Sequence, residues 1–333
     1  MNIFFIGMGY MGIERLKTII KLKKKYNLNI VGFFDPYVKN INVKGLKLKS
    51  EKSISKEYFK KNKILFCVIS TPHNLIFKYA SICLKSDFNI NLLIEKPFGL
   101  NFKVSQKIIS LKKKKQKIFI GLNYRYFKGI SYMLDDIKNK KFGKINSLLI
   151  NFGHGHNPNI LKTWKLKKKI AGGGVILDPG IHILNLLQLF CTNIKIKYIK
   201  KVSNFWKTGV EEEVIIILSS KQIPIINISL SITRWRSTFQ IFGNGNKGYW
   251  RLTGRGRSYG KQKYVIGKRW GWLVGKKQKL TEKVISNSSE EKVFSSEMIN
   301  ILKNIKNFKV KKSPCNDLEG LKTMKLIQNL YDF

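Results

Sequence analysis

Apolar and polar positions are arranged in two different ways along the chain, and the change falls near residue 123. Before it, short apolar runs at residues 2–6, 30–34, 64–70, 90–94 and 118–122 read as strands buried on both faces. Between them, residues 13–26, 74–85 and 102–115 carry helical spacing, with Leu16, Ile19, Ile20 and Leu22 on the inner side of the first helix. Alternating strand and helix predicts a doubly wound parallel sheet with helices on both faces, an α/β fold. Beyond residue 123 one helix, 129–140, precedes a series of strand-like runs at 145–152, 194–202, 214–219, 224–233, 237–242 and 248–252. Short turns such as Gly243-Asn244-Gly245-Asn246 predict a second, large and mostly antiparallel sheet, an α+β arrangement. Helical spacing returns at 290–307 and 317–331, with Asp317 as the expected N-cap.

The first junction carries the most specific signal. Ile3-Phe4-Phe5-Ile6 runs into Gly7-Met8-Gly9-Tyr10-Met11-Gly12, a Gly-x-Gly-x-x-Gly turn, and Asp35 closes the second apolar run. Gly7 serves the tight turn, Gly9 lets backbone approach a pyrophosphate, and Gly12 lets the helix pack close to the strand. The helix start offers N–H groups and a positive dipole end to phosphates. An acid at the Asp35 position accepts the ribose hydroxyls of NAD and repels a 2′-phosphate, so NAD is expected over NADP. Glycine-rich turns also serve packing alone; the order strand, glycines, helix, strand, acid is what favours a dinucleotide.

At 333 residues the chain can hold two domains with their own cores, and 43% apolar content fits a folded protein. No uninterrupted apolar stretch reaches the roughly 18 residues of a membrane span. Residues 175–190 come nearest and are broken by Asp178, Pro179, His182 and Asn185. The start lacks a basic leader and an apolar core segment, so the expected location is cytoplasmic. Cys67, Cys83, Cys191 and Cys315 form no Cys-x-x-Cys pair and are expected to be free thiols. The net charge of +45, from 64 basic and 19 acidic residues, would suit a polyanion-binding surface. The lysines are spread in short runs at 21–25, 112–115 and 167–169, beside abundant Ile and Asn, all with AT-rich codons. Genomic composition is therefore favoured over a dedicated nucleic-acid surface. The charge still draws in anionic cofactors and phosphorylated substrates.

Two further clusters can carry chemistry. Leu92-Leu93-Ile94-Glu95-Lys96-Pro97 places an acid and an amine at the carboxyl end of a buried strand, where doubly wound sheets bind ligands. Lys96 would donate to a substrate hydroxyl and steady the developing oxyanion; the competing reading is a surface ion pair. Gly172-Gly173-Gly174-Val175-Ile176-Leu177-Asp178-Pro179-Gly180-Ile181-His182 reads as a turn into a helix, with Asp178 as N-cap, Pro179 at the first helical position and His182 one turn on. The helix start would keep the imidazole neutral and usable as a general base; the competing reading is that Asp178 caps and His182 packs. His154 and His156 form a His-x-His pair, but with four histidines in the chain and no Cys or acid beside the pair, no metal site is expected. Glu211, Glu212 and Glu213 precede a strand and are expected to be solvated. Arg255-Gly256-Arg257-Ser258-Tyr259-Gly260 and Lys268-Arg269-Trp270-Gly271-Trp272 interleave Arg, Gly and aromatics, which leaves subunit contact, substrate phosphate and single-stranded RNA open.

The three motifs in this order resemble the glucose-fructose oxidoreductase, inositol dehydrogenase and rhizopine catabolism (Gfo/Idh/MocA) family, and the resemblance covers nearly the whole chain. It implies a Rossmann NAD-binding domain over residues 1–122 and a substrate-binding and oligomerisation domain over 123–333, with the last helix packing back toward the first. It implies a hydride transfer between NAD and a hydroxyl-bearing carbon of a sugar, cyclitol or nucleotide sugar, and a dimer or tetramer formed through the second sheet. Lys96, Asp178 and His182 would be the catalytic set. Ser70-Thr71-Pro72-His73 would run along the cofactor, with Glu95, Lys96 and Asn123 near the nicotinamide. Arg125 and Trp164 would join Lys96, Asp178 and His182 around the substrate. Ile76 stands where family members often carry a second histidine. The Arg255 segment resembles a sheet extension of members linked to surface-polysaccharide synthesis. A protein without turnover, or a nucleic-acid binder on a dehydrogenase fold, is the competing reading.

Overall fold

The structure is a computed structural model and describes residues 1–268, 282–288, 292–310 and 312–333. The chain divides into two compact units. One comprises Met1–Asn123, Lys169–Gly172 and Val293–Gln328; the other comprises Tyr124–Lys168, Gly173–Lys292 and Asn329–Phe333.

In the first unit, strands β1 (Asn2–Ile6), β2 (Asn29–Phe34), β5 (Ile64–Ile69), β6 (Asn91–Ile94) and β7 (Ile118–Ile120) form a parallel sheet in the order β2-β1-β5-β6-β7. The hairpin β3 (Asn40–Val43) and β4 (Leu46–Lys49) sits between β2 and β5 in the chain. Its Asn-Ile-Asn-Val and Leu-Lys-Leu-Lys alternation was too polar to register among the apolar runs. Helices α1 (Tyr10–Tyr26), α2 (Lys56–Lys61), α3 (Ile76–Leu84) and α4 (Phe102–Ser110) connect the strands. Leu16, Ile19 and Leu22 of α1 join a core with Ile3 and Phe5 of β1 and with Met298, Ile301 and Leu302 of a later helix, Val293–Ile305. Residues 290 and 291 of the expected 290–307 helix lie outside the described residues. The helix Asp317–Asp332 begins beside β7, with Gly320 against Ile120 and Phe98. Its cap is Asn316, whose Oδ1 accepts the Glu319 N–H at 2.9 Å. Asp317, the cap expected from the sequence, instead pairs with Lys112.

The second unit is built on an eight-stranded sheet. Its strands are β8 (Ile145–Gly155), β9 (Lys195–Val202), β10 (Glu213–Ser219), β11 (Ile225–Ser231), β12 (Thr233–Gly245), β13 (Gly248–Thr253), β14 (Gln262–Gly267) and β15 (Glu282–Ser288), in the order β15-β14-β13-β12-β8-β11-β10-β9. All neighbours pair antiparallel except β8 with β11. The chain passes from β11 to β12, on either side of β8, through Ile232 alone. Glycines on β8 make room there: a Cβ on Gly155 would lie 2.4 Å from the Arg234 carbonyl oxygen. One face is apolar core, with Leu148, Ile150, Phe152, Ile226, Ile228, Val214 and Ile216 all buried. Helices α5 (Lys128–Lys138), α6 (Lys168–Ala171), α7 (Ile181–Leu187), α8 (Val293–Ile305) and α9 (Asp317–Asp332) complete the chain. By mean hydropathy, Lys168–Leu187 is apolar enough to cross a membrane, yet 83% of that window is buried within the protein. It is also broken, between α6 and α7, by extended backbone at Asp178.

All four cysteines are free and buried, as expected. Burial, and then neighbouring Cys83, push the Cys67 thiol well above its usual range, as befits a small core residue.

Candidate active site

In the first unit each glycine of the opening turn meets a different demand. Gly7 has φ +89°, and a Cβ there would lie 2.6 Å from the Ser70 carbonyl oxygen. A Cβ on Gly12 would lie 2.2 Å from the Gly7 carbonyl oxygen, so any side chain would force α1 away from the turn. Gly9 faces open space, with no heavy atom within 4 Å of its Cβ position. Gly9 is also the N-cap of α1, with no capping side chain and no acid in the first turn, which covers Tyr10 and Met11. Those first-turn N–H groups suit an anion.

Asp35 is fixed by backbone donors. Its Oδ2 accepts the Met8 N–H at 2.7 Å, and its Oδ1 accepts the N–H groups of Tyr37 and Val38 at 2.9 and 3.0 Å. The carboxylate is thereby tied to the glycine turn while both oxygens keep accepting capacity. After β5, the Ser70 and Thr71 hydroxyls are buried with no hydrogen-bond partner among the described residues. Buried hydroxyls in need of partners, an open glycine and a fixed carboxylate together fit a dinucleotide. Pro72 leads into a short turn in which His73 is buried, and His73 Nδ1 lies 2.7 Å from the Ala171 carbonyl oxygen. That distance makes Nδ1 the protonated nitrogen.

Glu95 and Lys96 follow β6 directly. Glu95 is buried and its Oε1 accepts from Arg15 Nε of α1 at 2.5 Å, while Arg15 Nη1 pairs with Glu297 of α8. Burial acts to lower the Arg15 pKa, and Glu297 and Glu95 more than offset it, raising the value. Gly121, on the far side, admits this pair: a Cβ there would lie 2.7 Å from Glu95 Oε2. Lys96 is half-buried beside it, and Asn123 is buried at the end of the unit.

In the second unit His182 opens α7 and stacks on Tyr124, with ring centroids 3.9 Å apart and planes 6° from parallel. Arg125 Nη2 donates to Asn185 Oδ1 of the same helix at 3.0 Å, both side chains being buried. Asp178 does not cap this helix, contrary to expectation. Its backbone is extended (φ −147°, ψ 105°), α7 starts at Ile181, and the cap is Gly180 without a side-chain bond. Trp164 is half-buried in the segment that follows β8.

The glycine run before Asp178 is held by an acid that the sequence suggested was solvated. Glu211 Oε1 accepts from the N–H groups of Gly174 and Ile176 at 3.0 and 3.1 Å and from the Tyr331 hydroxyl at 2.7 Å. Burial and the Glu211 charge push the Tyr331 hydroxyl well above its usual range. A Cβ on Gly174 would lie 2.0 Å from the Glu211 carbonyl oxygen. Glu212, 1% exposed, collects the N–H groups of Phe205, Trp206 and Lys207, and Glu213 accepts from Ser231 and Thr233. Glu211 and Glu212 are buried and structural, whereas Glu213 is exposed, as expected.

Arg255, after β13, lies over three rings: Tyr259 at 4.1 Å, Tyr124 at 5.5 Å and Phe152 at 5.6 Å. The Tyr259 hydroxyl is 2.8 Å from His154 Nδ1, and the His154 and His156 rings are 4.7 Å apart. Burial, then His156, pull the His154 pKa down to about 4, against Asp178, which raises it. Burial and Lys165 lower His156 as well. Both imidazoles therefore favour the neutral form. Among the described residues no group of three His, Cys, Asp or Glu side chains is placed to hold a metal. Arg269, Trp270, Gly271 and Trp272 lie outside the described residues.

Arg15, Tyr124, Glu211 and Arg255 were not assigned these roles from the sequence. The legible hint was Glu211-Glu212-Glu213 itself: a chain with 19 acids seldom places three in a row without use.

The sequence model of the oxidoreductase family with NAD-binding Rossmann fold matches residues 1–123, and that of the GFO/IDH/MocA C-terminal domain matches residues 132–250. No curated protein matches the sequence. Among solved structures, UDP-N-acetylglucosamine 3-dehydrogenase GnnA from Acidithiobacillus ferrooxidans is 16% identical with a TM-score of 0.74, over 99% of this chain and 96% of that one. The WlbA dehydrogenase from Bordetella pertussis, solved with NADH and UDP-GlcNAcA, is 14% identical with a TM-score of 0.76, over 100% and 95%. Levoglucosan dehydrogenase, solved with NADH and levoglucosan, is 12% identical with a TM-score of 0.78, over 100% and 96%. At such identities the structures attest the fold. Matched by sequence in both halves, the chain belongs to the Gfo/Idh/MocA family of NAD-binding oxidoreductases.

Proposed function

We propose that the protein oxidises or reduces a hydroxyl-bearing carbon of a sugar, cyclitol or nucleotide sugar, using NAD in preference to NADP. The observation that carries this reading is the glycine turn, with its open Gly9, beside a carboxylate fixed at Asp35. The backbone at Gly7, Met8, Gly9, Tyr10, Met11 and Gly12 would hold the pyrophosphate, Asp35 the ribose hydroxyls, and Ser70, Thr71, Pro72 and His73 would line the path of the cofactor. Bound NAD supplies the hydride acceptor. A ring nitrogen of His182 takes the hydroxyl proton, Asp178 orients that imidazole or the substrate, and Lys96 Nζ donates to the substrate oxygen as charge builds there. Glu95 holds the strand end that carries Lys96, and Asn123, Arg125 and Trp164 shape the surroundings of the reacting groups. GnnA and WlbA, by name and bound ligand, handle nucleotide sugars, which supports that substrate class, while a role in surface-polysaccharide synthesis rests on the resemblance of the Arg255 segment alone.

Fluorescence titration tests the cofactor assignment. Wild-type protein is expected to bind NADH at least about tenfold more tightly than NADPH, and Asp35→Asn should narrow the gap by removing like-charge repulsion worth on the order of 1–2 kcal/mol. Equal affinity for both cofactors in the wild type would remove the preference. Failure to bind either, with no turnover on a panel of sugars and nucleotide sugars, would sink the whole reading.

A homo-oligomer formed through the second sheet is part of the same proposal. Tyr198, Ile217, Asn227, Leu149 and Phe242 pair across five strands, so their side chains share one face. Tyr198 is 50% exposed, Leu149 48% and neighbouring Ile215 49%, an apolar face in a strongly basic protein. A second copy would cover the apolar part of such a face, with Lys200 and Arg251 flanking it on the same side. Sedimentation is expected to find a dimer or tetramer, and Leu149→Glu with Ile215→Glu to release monomers; monomeric wild-type protein at micromolar concentration would refute this.

A further inference from the structure

We propose that Arg255 recognises an anionic group, a carboxylate or a phosphate, on the sugar substrate; this rests on the sugar oxidoreductase reading and narrows its substrate class. The guanidinium sits in a box of aromatic rings, Tyr259, Tyr124 and Phe152. Among the described residues it makes no ion pair, whereas the fully buried Arg15 has two. Its Nε is buried without a hydrogen-bond partner. The rings attract the cation and the Tyr259 hydroxyl is its hydrogen-bond partner, but Nε keeps a donor unmet, a need that a planar or tetrahedral oxyanion meets.

The surroundings point the same way. His154 and His156, kept toward neutrality by burial, are hydrogen-bonding groups rather than competing charges, and His154 is engaged by the Tyr259 hydroxyl. Lys165 adds positive potential at both histidines. Asp178 is an acid whose charge acts to raise the Arg255 pKa. Arg255 and Lys165 give this side of the site positive charge that an anionic substrate would meet. Position supplies the link to chemistry: the Tyr124 ring that carries Arg255 also carries His182, stacked at 3.9 Å. An anion held at Arg255 would lie about one sugar ring from the proton acceptor, orienting the hydroxyl to be oxidised. The same contact gives specificity, since a neutral sugar leaves the enclosed cation unpaired.

Calorimetric titration of the full-length protein, with and without saturating NADH, tests this using glucuronate, glucose 6-phosphate, UDP-glucose and glucose as probes. At least one anionic probe is expected to bind, and to bind at least about tenfold more tightly than glucose. Arg255→Gln should erase that margin, a loss of about 10- to 100-fold, and leave NADH affinity unchanged. Arg255→Lys, which keeps the charge without the fork, should recover part of it and guards against misfolding of the first variant. The glucuronate arm identifies a carboxylate, glucose 6-phosphate a monoester and UDP-glucose a diphosphate. If Arg255 is only a strut in the aromatic box, the variants lose melting temperature and keep the wild-type preference, which overturns the proposal. So does an absence of any anionic preference in the wild type. Failure of NADH binding sinks the parent reading instead, and an Arg255-dependent preference in the titration without NADH would survive it.

Discussion

Substituting His182 with glutamine is expected to lower kcat by about 10²- to 10⁴-fold while NADH affinity stays unchanged. Glutamine keeps a flat polar group of similar size against Tyr124, so the ring stacked at 3.9 Å is replaced rather than deleted and α7 keeps its packing. What is lost is a ring nitrogen able to take up and release a proton. The acidic limb of the kcat/KM profile should vanish with it. Lys96→Met tests the other half of the chemistry. It preserves the stem and removes the Nζ donor, and a loss on the order of 10²- to 10³-fold in kcat is expected from an oxyanion left without that partner. The double variant should fall well short of the product of the two losses, because groups acting on one oxygen in one step are not independent. Purified His182→Gln protein with kcat within about tenfold of wild type and its acidic limb intact would remove His182 from the chemistry.

The existence of the parallel strands was readable because each is a short apolar run, and a run such as Ile64–Ile69 is buried at every position but Leu65. The glycine turn was readable because three glycines at fixed offsets each answer a steric demand, of which Gly7 at φ +89° and the 2.2 Å approach at Gly12 are the physical record. The Arg255 environment was illegible, since Tyr124, Phe152, His154 and Tyr259 converge on it from three separated segments and no local spacing announces that. The Asp178 geometry misled for a related reason. Asp-Pro before an apolar run is a valid helix start locally, but the glycine turn is clamped by Glu211 from β10's approach, and the helix begins three residues later. Composition held one clue that charge counting hid. Only eight of the 64 basic residues are arginine, and where lysine is the default cation an arginine marks a position that needs the fork: Arg15, Arg125 and Arg255 are each placed against specific partners.

Arg15→Met is expected to have the largest effect on stability, about 3–5 kcal/mol at neutral pH. Arg15 is fully buried between Glu95 and Glu297, and it lies over the ring of Phe294 at 4.8 Å. Methionine fills much of the stem volume, so the loss comes less from a cavity than from two carboxylates stranded in the core without their cation. That origin dictates a pH dependence. In the wild type the Arg15 pKa is raised, so its contribution is complete throughout the range in which proteins are handled and is lost only at extreme alkalinity. In the variant each stranded carboxyl prefers its proton, which lifts its folded pKa above the value of the unfolded chain. The folded variant then binds more protons than the unfolded one, and its stability should improve relative to wild type as pH falls from 7 toward about 5. Urea unfolding at several pH values measures this, and a deficit independent of pH would mean that lost packing, not stranded charge, is the cause. Catalysis offers a second readout, because Glu95 is the residue before Lys96 and is held in place by Arg15 Nε at 2.5 Å. At a temperature where the variant remains folded, kcat should still drop, since a lysine on an unclamped strand end no longer keeps its nitrogen where the substrate oxygen needs it. Wild-type kcat in folded Arg15→Met protein would separate the stability of this unit from the positioning of Lys96.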